Sequence, residues 1–356
     1  MNLRNLFRKP KSVNREVAPQ LTVWDRRAAE APSAPTSGIP YLVYDQMERD
    51  SMIQTALTVK KLGVLAAPFH IESCGDSTRD RFIEEAFARM EGSPASILNG
   101  AMDAFAKGWS IQELVFEEDA GRLWLRAARP KDPALFGLNL DAFGRIEGLS
   151  LQVPGETPRD LPIGKFVLYR HRGSYGRPKG RSDLDAAYPH WQAKNAVASN
   201  WRLYLARFAN PTILARCGPG TSSVERNDLV RSLANPDGNL AVAFPNEIEV
   251  QPLGGTRDAS SIYIDAIDFH NREIARAILG QTLTTDEGRR VGSLAMGKVH
   301  LQVLALQLEA IRRELSDAVM NEQVIRPLIE LNFGPGPIPK FAFERTPIPA
   351  FTTGAI

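Results

Sequence analysis

The stretch "ILGQTLTTDEG", Ile278 to Gly288, lies between two segments with helical patterning. Neither a tight turn nor an apolar strand accounts for it. Gln281, Thr282, Thr284 and Thr285 run into Asp286 and Glu287, and past Gly288 stands the basic pair Arg289 and Arg290. A polar loop over 281–292 between two strong helices is uncommon in a compact domain unless it acts on something. Its mixed charge suits brief contact with a passing partner rather than tight phosphate binding. Upstream, a helix is expected over 261–280. Downstream, a longer one is expected over 293–333, because Leu301, Leu304, Leu308, Ile311 and Leu315 recur in steps of three and four, the narrow seam of helix–helix packing. Unbroken, that helix spans about 60 Å, with Pro327 kinking it near its end.

Towards the N-terminus, residues 1–40 read as a flexible arm, since "APSAPTSGIP" has too little apolar surface to pack alone. From Tyr41 a helical pattern places Met47, Met52, Ile53, Ala56, Leu57 and Leu62 on one face. Ser77 or Thr78 is a plausible cap for a second helix, and Pro94 and Gly108 bound a third. At Trp109 the period switches to alternation. "WSIQELVFEE", "RLWLRAARP", "IEGLSLQVPG" and "KFVLYRHRG" read as strands of a β module over 109–172. Ser182 or Asp183 caps a short helix, and a longer one follows Pro189 and stops before Pro211. Within 211–260, "TILARCG", "NLAVAFPN" and "EIEVQPL" read as strands and "SSVERNDLVRSLAN" as a helix. The tail 334–356 is Pro-rich, with "KFAFE" able to add an edge strand. The fold class is α+β.

Composition is that of a folded protein: 43% hydrophobic, 24% charged and a net charge of +2. No apolar run approaches the ~20 residues of a membrane span, so no membrane partner is expected. Cys74 and Cys217 match no metal or redox spacing, and the five histidines are scattered. Phosphate-cradling glycine motifs and nucleophile elbows are absent. Acid doublets such as Glu84-Glu85, Glu117-Glu118 and Asp286-Glu287 are what this composition produces by chance. Neither a cofactor, nor a metal, nor catalysis is expected. One local signal remains. "KFVLYRHRGSYGRPKGR" carries Lys165, Arg170, Arg172, Arg177, Lys179 and Arg181 with no acid. It reads either as a phosphate-contacting strip or as a solvated strand end.

Here the residues carry a resemblance. "ILGQTLTT", following "HNREIARA" and preceding a helix that ends "IRPLIELNFG", resembles the portal proteins of Mu-like tailed phages and prophages. "MERDSMIQTALTVKKLGVLAAPFHIE", "GWSIQELVF", "LPIGKFVLYRHRGSYGRPKGRSDLDAAYPHW" and "RFANPTIL" are similar to further family segments in the same order, over roughly 41–345. The resemblance implies a ring, usually of twelve copies, at one capsid vertex, through which double-stranded DNA enters and leaves. It implies a wing over 41–188 and stem helices over 189–210 and 261–280. Between these it implies a clip over 211–260, then a tunnel loop over 281–292, a long wing helix and little or no crown. The lumen or subunit contacts then fall to Lys194, Arg202, Arg207, Asp265, Asp268, Arg272 and Arg276. Ile264, Ile267, Ile274 and Ile278 are left to pack laterally. Clip residues Pro219, Ser222, Glu225, Arg226, Asp228, Arg231, Asn235 and Asp237 are left to dock terminase or adaptor. The implied partners are other copies, DNA in transit, the major capsid protein, the large terminase and a head-tail adaptor, all in the virion. The alternatives are a DNA-acting enzyme or accessory DNA-binding protein using residues 165–181, and a head-tail adaptor.

Overall fold

The computed structural model describes residues 39–141, 145–174, 177–209, 213–218, 220–233, 241–245, 260–282 and 294–344. Residues 1–38 of the expected arm, the strand at 247–253, most of the 281–292 loop and the end of the tail lie outside these residues. The chain divides into two compact units, Met1–Tyr188 with Arg272–Ile356, and Pro189–Asn271.

In the first unit, α1 (Tyr41–Met47) and α2 (Ser51–Leu65) are separate helices. Asp50 restarts the chain by accepting bonds from the Met52 and Ile53 amides at 2.9 and 3.3 Å. Met47, Ile53, Ala56 and Leu57 are buried as the pattern requires, but Leu62 is 60% exposed. After β1 (Phe69–Glu72), α3 (Ser77–Arg89) is capped by Asp76, not Ser77 or Thr78. An ionised acceptor at the positive helix end is the stronger cap. The third expected helix is two, α4 (Pro94–Ala101) and α5 (Ala104–Lys107), stopped by Gly108 at φ 84°.

Six strands follow: β2 (Trp109–Asp119), β3 (Arg122–Lys131), β4 (Phe136–Leu140), β5 (Ile146–Leu151), β6 (Arg159–Leu161) and β7 (Phe166–Arg170). They form two antiparallel sheets, β3-β2-β7 and β4-β5-β6. β4 and β6 were not foreseen, one carrying a glycine and the other only three residues long. Central β2 is buried on both faces, yet includes Ser110 and Gln112. α4 takes up their donors, Ser110 Oγ donating to the Ala101 carbonyl and Gln112 Nε2 to that of Ile97, at 2.7 and 2.8 Å. Fully buried Trp109 donates its indole N–H to the Tyr41 hydroxyl at 2.7 Å.

Helix α6 (Leu184–Ala209) opens in the first unit, with the Ser182 hydroxyl accepting from the Leu184 amide, and continues into the second. Pro189 stands inside it rather than before it, at the loss of one amide bond to the Asp185 carbonyl. In the second unit, β8 (Ile213–Cys217) and β9 (Ala241–Pro245) pair in parallel, joined by a segment containing α7 (Ser223–Leu233). Helix α8 (Ser260–Leu279) is divided between the units. Within the second unit Tyr263 of α8 stacks on Trp201 of α6, rings 9° from parallel, and leans on Tyr204.

The last part of the first unit is α9 (Leu294–Glu314), a π-helical stretch Leu315–Ile325 and α10 (Arg326–Phe333), then β10 (Lys340–Phe343) paired antiparallel with β1. The irregularity therefore lies before Pro327 instead of at it. The proline occupies the first turn of α10, where a missing amide costs little. Leu304, Leu308, Ile311 and Leu315 are buried, whereas Leu301 is 55% exposed. Gly63 lets α9 approach closely, since a Cβ there would lie 2.7 Å from Leu308. Arg312 caps the last turn of α2, donating to the Gly63 and Val64 carbonyls. Three carboxamides then tie this helix to strands by binding both polar groups of one backbone residue: Gln323 to Leu168 on β7, Asn332 to Leu123 on β3, and Asn321 to Phe341 on β10. Each supplies to a strand edge the bonds a neighbouring strand would give.

Candidate functional site

The basic run does not present six charges to solvent. Buried Lys165 lies 3.1 Å from Glu113, whose side chain is fully buried, and Lys131 lies 3.7 Å from the same carboxylate. Burial, with Lys165 beside it, pulls the Lys131 ammonium down to about 8. Lys179 donates to the Phe136 carbonyl at 3.1 Å and sits over the Trp109 ring, and burial brings it to about 8 as well. Arg172, at φ 51°, reaches Asp183 at 3.3 Å, and Arg181 approaches Asp185 at 3.9 Å. Arg170 and Arg177 are exposed. The strip reading is corrected accordingly: Lys165, Arg172, Lys179 and Arg181, four of the six, have partners within the fold.

Asp183, fully buried immediately before α6, is the hub of that arrangement. Its carboxylate receives Lys60 of α2 at 2.5 Å, His171 Nε2 at 3.0 Å and Arg172. Burial alone raises a carboxyl, but His171, Lys60 and Arg172 together hold this one below its ordinary value. Burial holds the His171 imidazole low. Sequence reading gave Asp183 a capping role and missed the cluster, because Lys60 is 123 residues away.

Along α8, Ile262, Asp265, Phe269, Arg272 and Arg276 follow one another in steps of three and four and all are exposed. Ile262 is 66% and Phe269 48% exposed. Asp268 is half-buried at the edge of this stripe, and Arg276 is ion-paired with Glu273. Ile274 and Ile278 are fully buried in the first unit, so the expectation that they pack against a neighbouring copy is corrected. Ile264 and Ile267 are half-buried. On α6, Lys194 is half-buried and Arg202 exposed, and Arg202 shares its exposed face with Ala196, Ser199, Leu203 and Ala206. The side chain of Arg207 lies outside the described residues.

In the insert, Ser222 and Glu225 form a capping box on α7: the hydroxyl accepts from the Glu225 amide and the carboxylate from the Ser222 amide. Arg226 is half-buried, while Asp228 and Arg231 are exposed. Pro219, Asn235 and Asp237 lie outside the described residues. So do Thr284, Thr285, Asp286, Glu287, Arg289 and Arg290 of the loop. Its first residues are described: Gly280 ends α8 at φ 70°, Gln281 is buried and Thr282 half-buried.

Among the described residues, no three His, Cys, Asp or Glu side chains cluster to hold a metal, and no helix is long and apolar enough to cross a membrane. A cleft of about 370 Å³ beside β7 is lined by Ile146, Ile163, Phe166, Leu168, Ala318 and Pro327. Its two carboxylates are engaged, Glu314 by the Tyr169 hydroxyl and Glu322 by Arg326. That arrangement brings no acid and base together.

The family model for the portal protein of Mu bacteriophage matches residues 41–350. The portal protein of Escherichia phage Mu is 23% identical over 315 residues, covering 82% of this chain and 57% of that protein. The Mu-like prophage FluMu protein gp29 of Haemophilus influenzae is 24% identical over 315 residues, covering 85% and 59%. The chain thus spans less than three-fifths of the length of these curated relatives. Among solved structures, a chain from the neck of empty gene transfer agent particles superposes with a TM-score of 0.58 at 13% identity, over 91% of this chain and 90% of that one. A chain from the native neck, computed with C12 symmetry, gives 0.56 at 13%, over 95% and 89%. At that identity the likeness establishes the fold, a mixed α+β one. With the family model matched from Tyr41 to Ala350, the chain belongs to the portal protein family of Mu bacteriophage, whose members are structural virion components and not enzymes.

Proposed function

We propose that copies of this chain close into a ring, of twelve subunits as in the C12 neck of the native gene transfer agent particle, around a channel for double-stranded DNA. In that assembly α6 and α8 are the stem, the insert between them docks terminase and head-tail adaptor, and residues 281–292 face the DNA. The outer unit then meets the major capsid protein. The observation that carries this reading is the exposed α8 stripe. Two large apolar side chains at helical spacing on a solvent face are a surface made for a neighbour. The α6 face offered in return is largely small, with Ala196, Ser199 and Ala206 permitting close approach.

The charge distribution supports passage without retention. Strong phosphate contacts tighten binding steeply and would stall a moving duplex. The whole chain carries only +2, and the loop balances Asp286 and Glu287 against Arg289 and Arg290. Electron microscopy of the purified chain is the direct test: closed annuli with a central hole are expected, and a population of single subunits at high concentration overturns the reading. Removing Thr284 to Arg290 is expected to leave annuli in normal yield while abolishing most DNA packaging. Loss of the annuli in that deletion would assign the loop to assembly instead.

A further inference from the structure

The second unit carries a contact between α6 and α8 that lies outside the insert. His190 of α6 and His270 of α8 face one another with Nδ1 atoms 3.3 Å apart, ring centroids 5.6 Å apart and planes at 49°. An imidazole nitrogen lies roughly one ångström from its ring centre, so this centroid separation means the two nitrogens point head-on. Head-on nitrogens suit a shared N–H···N hydrogen bond. They do not suit a metal, whose bonds of about 2.0–2.1 Å need lone pairs converging beside that line.

We propose that His190 and His270 form a proton-operated latch between α6 and α8, closed while a hydrogen is shared between the two Nδ1 atoms and released when both imidazoles are protonated. With both rings neutral, one tautomer donates from Nδ1 and the other accepts. With a single added proton the cation still donates to the bare partner. A second proton leaves two N–H groups face to face, with no acceptor and with like charges in contact. Phe269 packs against both rings, its centroid 6.1 Å from His190 and 5.2 Å from His270, and keeps that side of the pair apolar. One turn along α6 stands Lys194, which adds positive charge. One turn along α8, Glu273 is engaged by Arg276. Burial first, and His190 second, hold His270 below the ordinary histidine range. A base depressed in the closed state binds fewer protons there than in the open state. Closure therefore weakens as pH falls below the open-state value of about 6.5, and the weakening ends once closed His270 is itself protonated. This latch ties together the two helices that bracket the insert, whether or not the chain forms a ring.

Hydrogen exchange of the full chain at pH 7.5 and pH 5.0, normalised for intrinsic rates, tests it through peptides covering 186–198 and 262–275. Wild type is expected to lose protection there, by up to about tenfold for each pH unit by which closure depresses the coupled value, while peptides from β2 and β3 do not change. His270→Asn, which keeps a hydrogen-bonding group but removes the depressed base, is expected to show the same protection at both pH values, whereas His190→Gln, which leaves His270 depressed by burial but removes the opposing charge, is expected to respond less than wild type. An unchanged wild type, or variants that respond as wild type does, overturns the latch. If both variants misfold, the imidazole C–H signals of the wild-type chain decide: two separated titration steps support the shared proton, and two independent ordinary ones exclude it.

Discussion

Asp183→Ala is expected to destabilise the first unit by about 3–5 kcal/mol, the range for removing one partner of a buried ion pair. Lys60, 2% exposed, and His171, 4% exposed, are both left facing an apolar void beside the Phe105 ring. Desolvating an ammonium without an anion is the dominant penalty, and the lost bonds to His171 and Arg172 add to it. The thermal midpoint should fall by on the order of 10 °C. The pH dependence has a definite sign. Asp183 is held below its ordinary value in the folded chain, so its contribution is present above the unfolded value of about 3.9 and is lost as pH falls through the folded one. Asp183→Asn is accordingly expected to lack that acid-side loss and to be less stable than wild type at neutral pH. Adding Lys60→Met to Asp183→Asn removes the stranded charge and should recover part of the deficit. A midpoint unchanged in Asp183→Ala would mean that the cluster merely decorates the start of α6.

What could be read from the sequence alone was what depends on near neighbours in the chain. The seam of α9, the start of β2 at Trp109 and the turn at Gly108 all follow from periodicity or from one residue's backbone freedom. The capping residues were foreseen only to within one or two positions, since Asp76 and Ser77 both make caps. Long-range pairing left almost no local trace. Nothing near Lys60 announces Asp183, and nothing near Gln323, Asn332 or Asn321 announces that three amides will replace missing strand neighbours. The basic run shows how that omission misleads. Counted along the chain it is a patch, but folding sends Lys165 to Glu113 and Lys179 over Trp109. The α8 isoleucines were misread for the same reason: helical spacing groups residues by face but does not say which face the chain's own core occupies. Ile274 and Ile278 went inward, and the exposed apolar positions are Ile262 and Phe269.

Those two positions give the largest expected effect on assembly. Ile262→Asp combined with Phe269→Asp is expected to convert annuli into single subunits at concentrations where wild type is fully assembled. Fully burying a large apolar side chain contributes about 1.5–3 kcal/mol; with 66% of Ile262 and 48% of Phe269 left to cover, the pair is worth roughly 2–3 kcal/mol at each subunit contact, or about two decades in the concentration needed for closure. Ile262 is exposed in the single subunit, so Ile262→Asp should move its own stability by only about 0.5 kcal/mol, and Phe269→Asp, which also removes a ring packed on His190 and His270, by roughly 1 kcal/mol more. Circular dichroism should therefore stay native while sedimentation shifts. The charges set a second, independent arm. Before Asn271, α8 carries Asp265 and Asp268 and no lysine or arginine, while α6 after Pro189 carries Lys194, Arg202 and Arg207 and no acid. A ring joins one face to a different one at every contact, so opposed charge along the two helices favours α6 of one copy against α8 of the next. Arg202→Glu and Asp265→Arg are each expected to weaken closure, and the double exchange to restore it. Restoration requires the two side chains to meet across the contact, which simple damage to either helix cannot imitate. Annuli that withstand the paired aspartates, or a double exchange no better than the single ones, would move the subunit contact off this face of the stem.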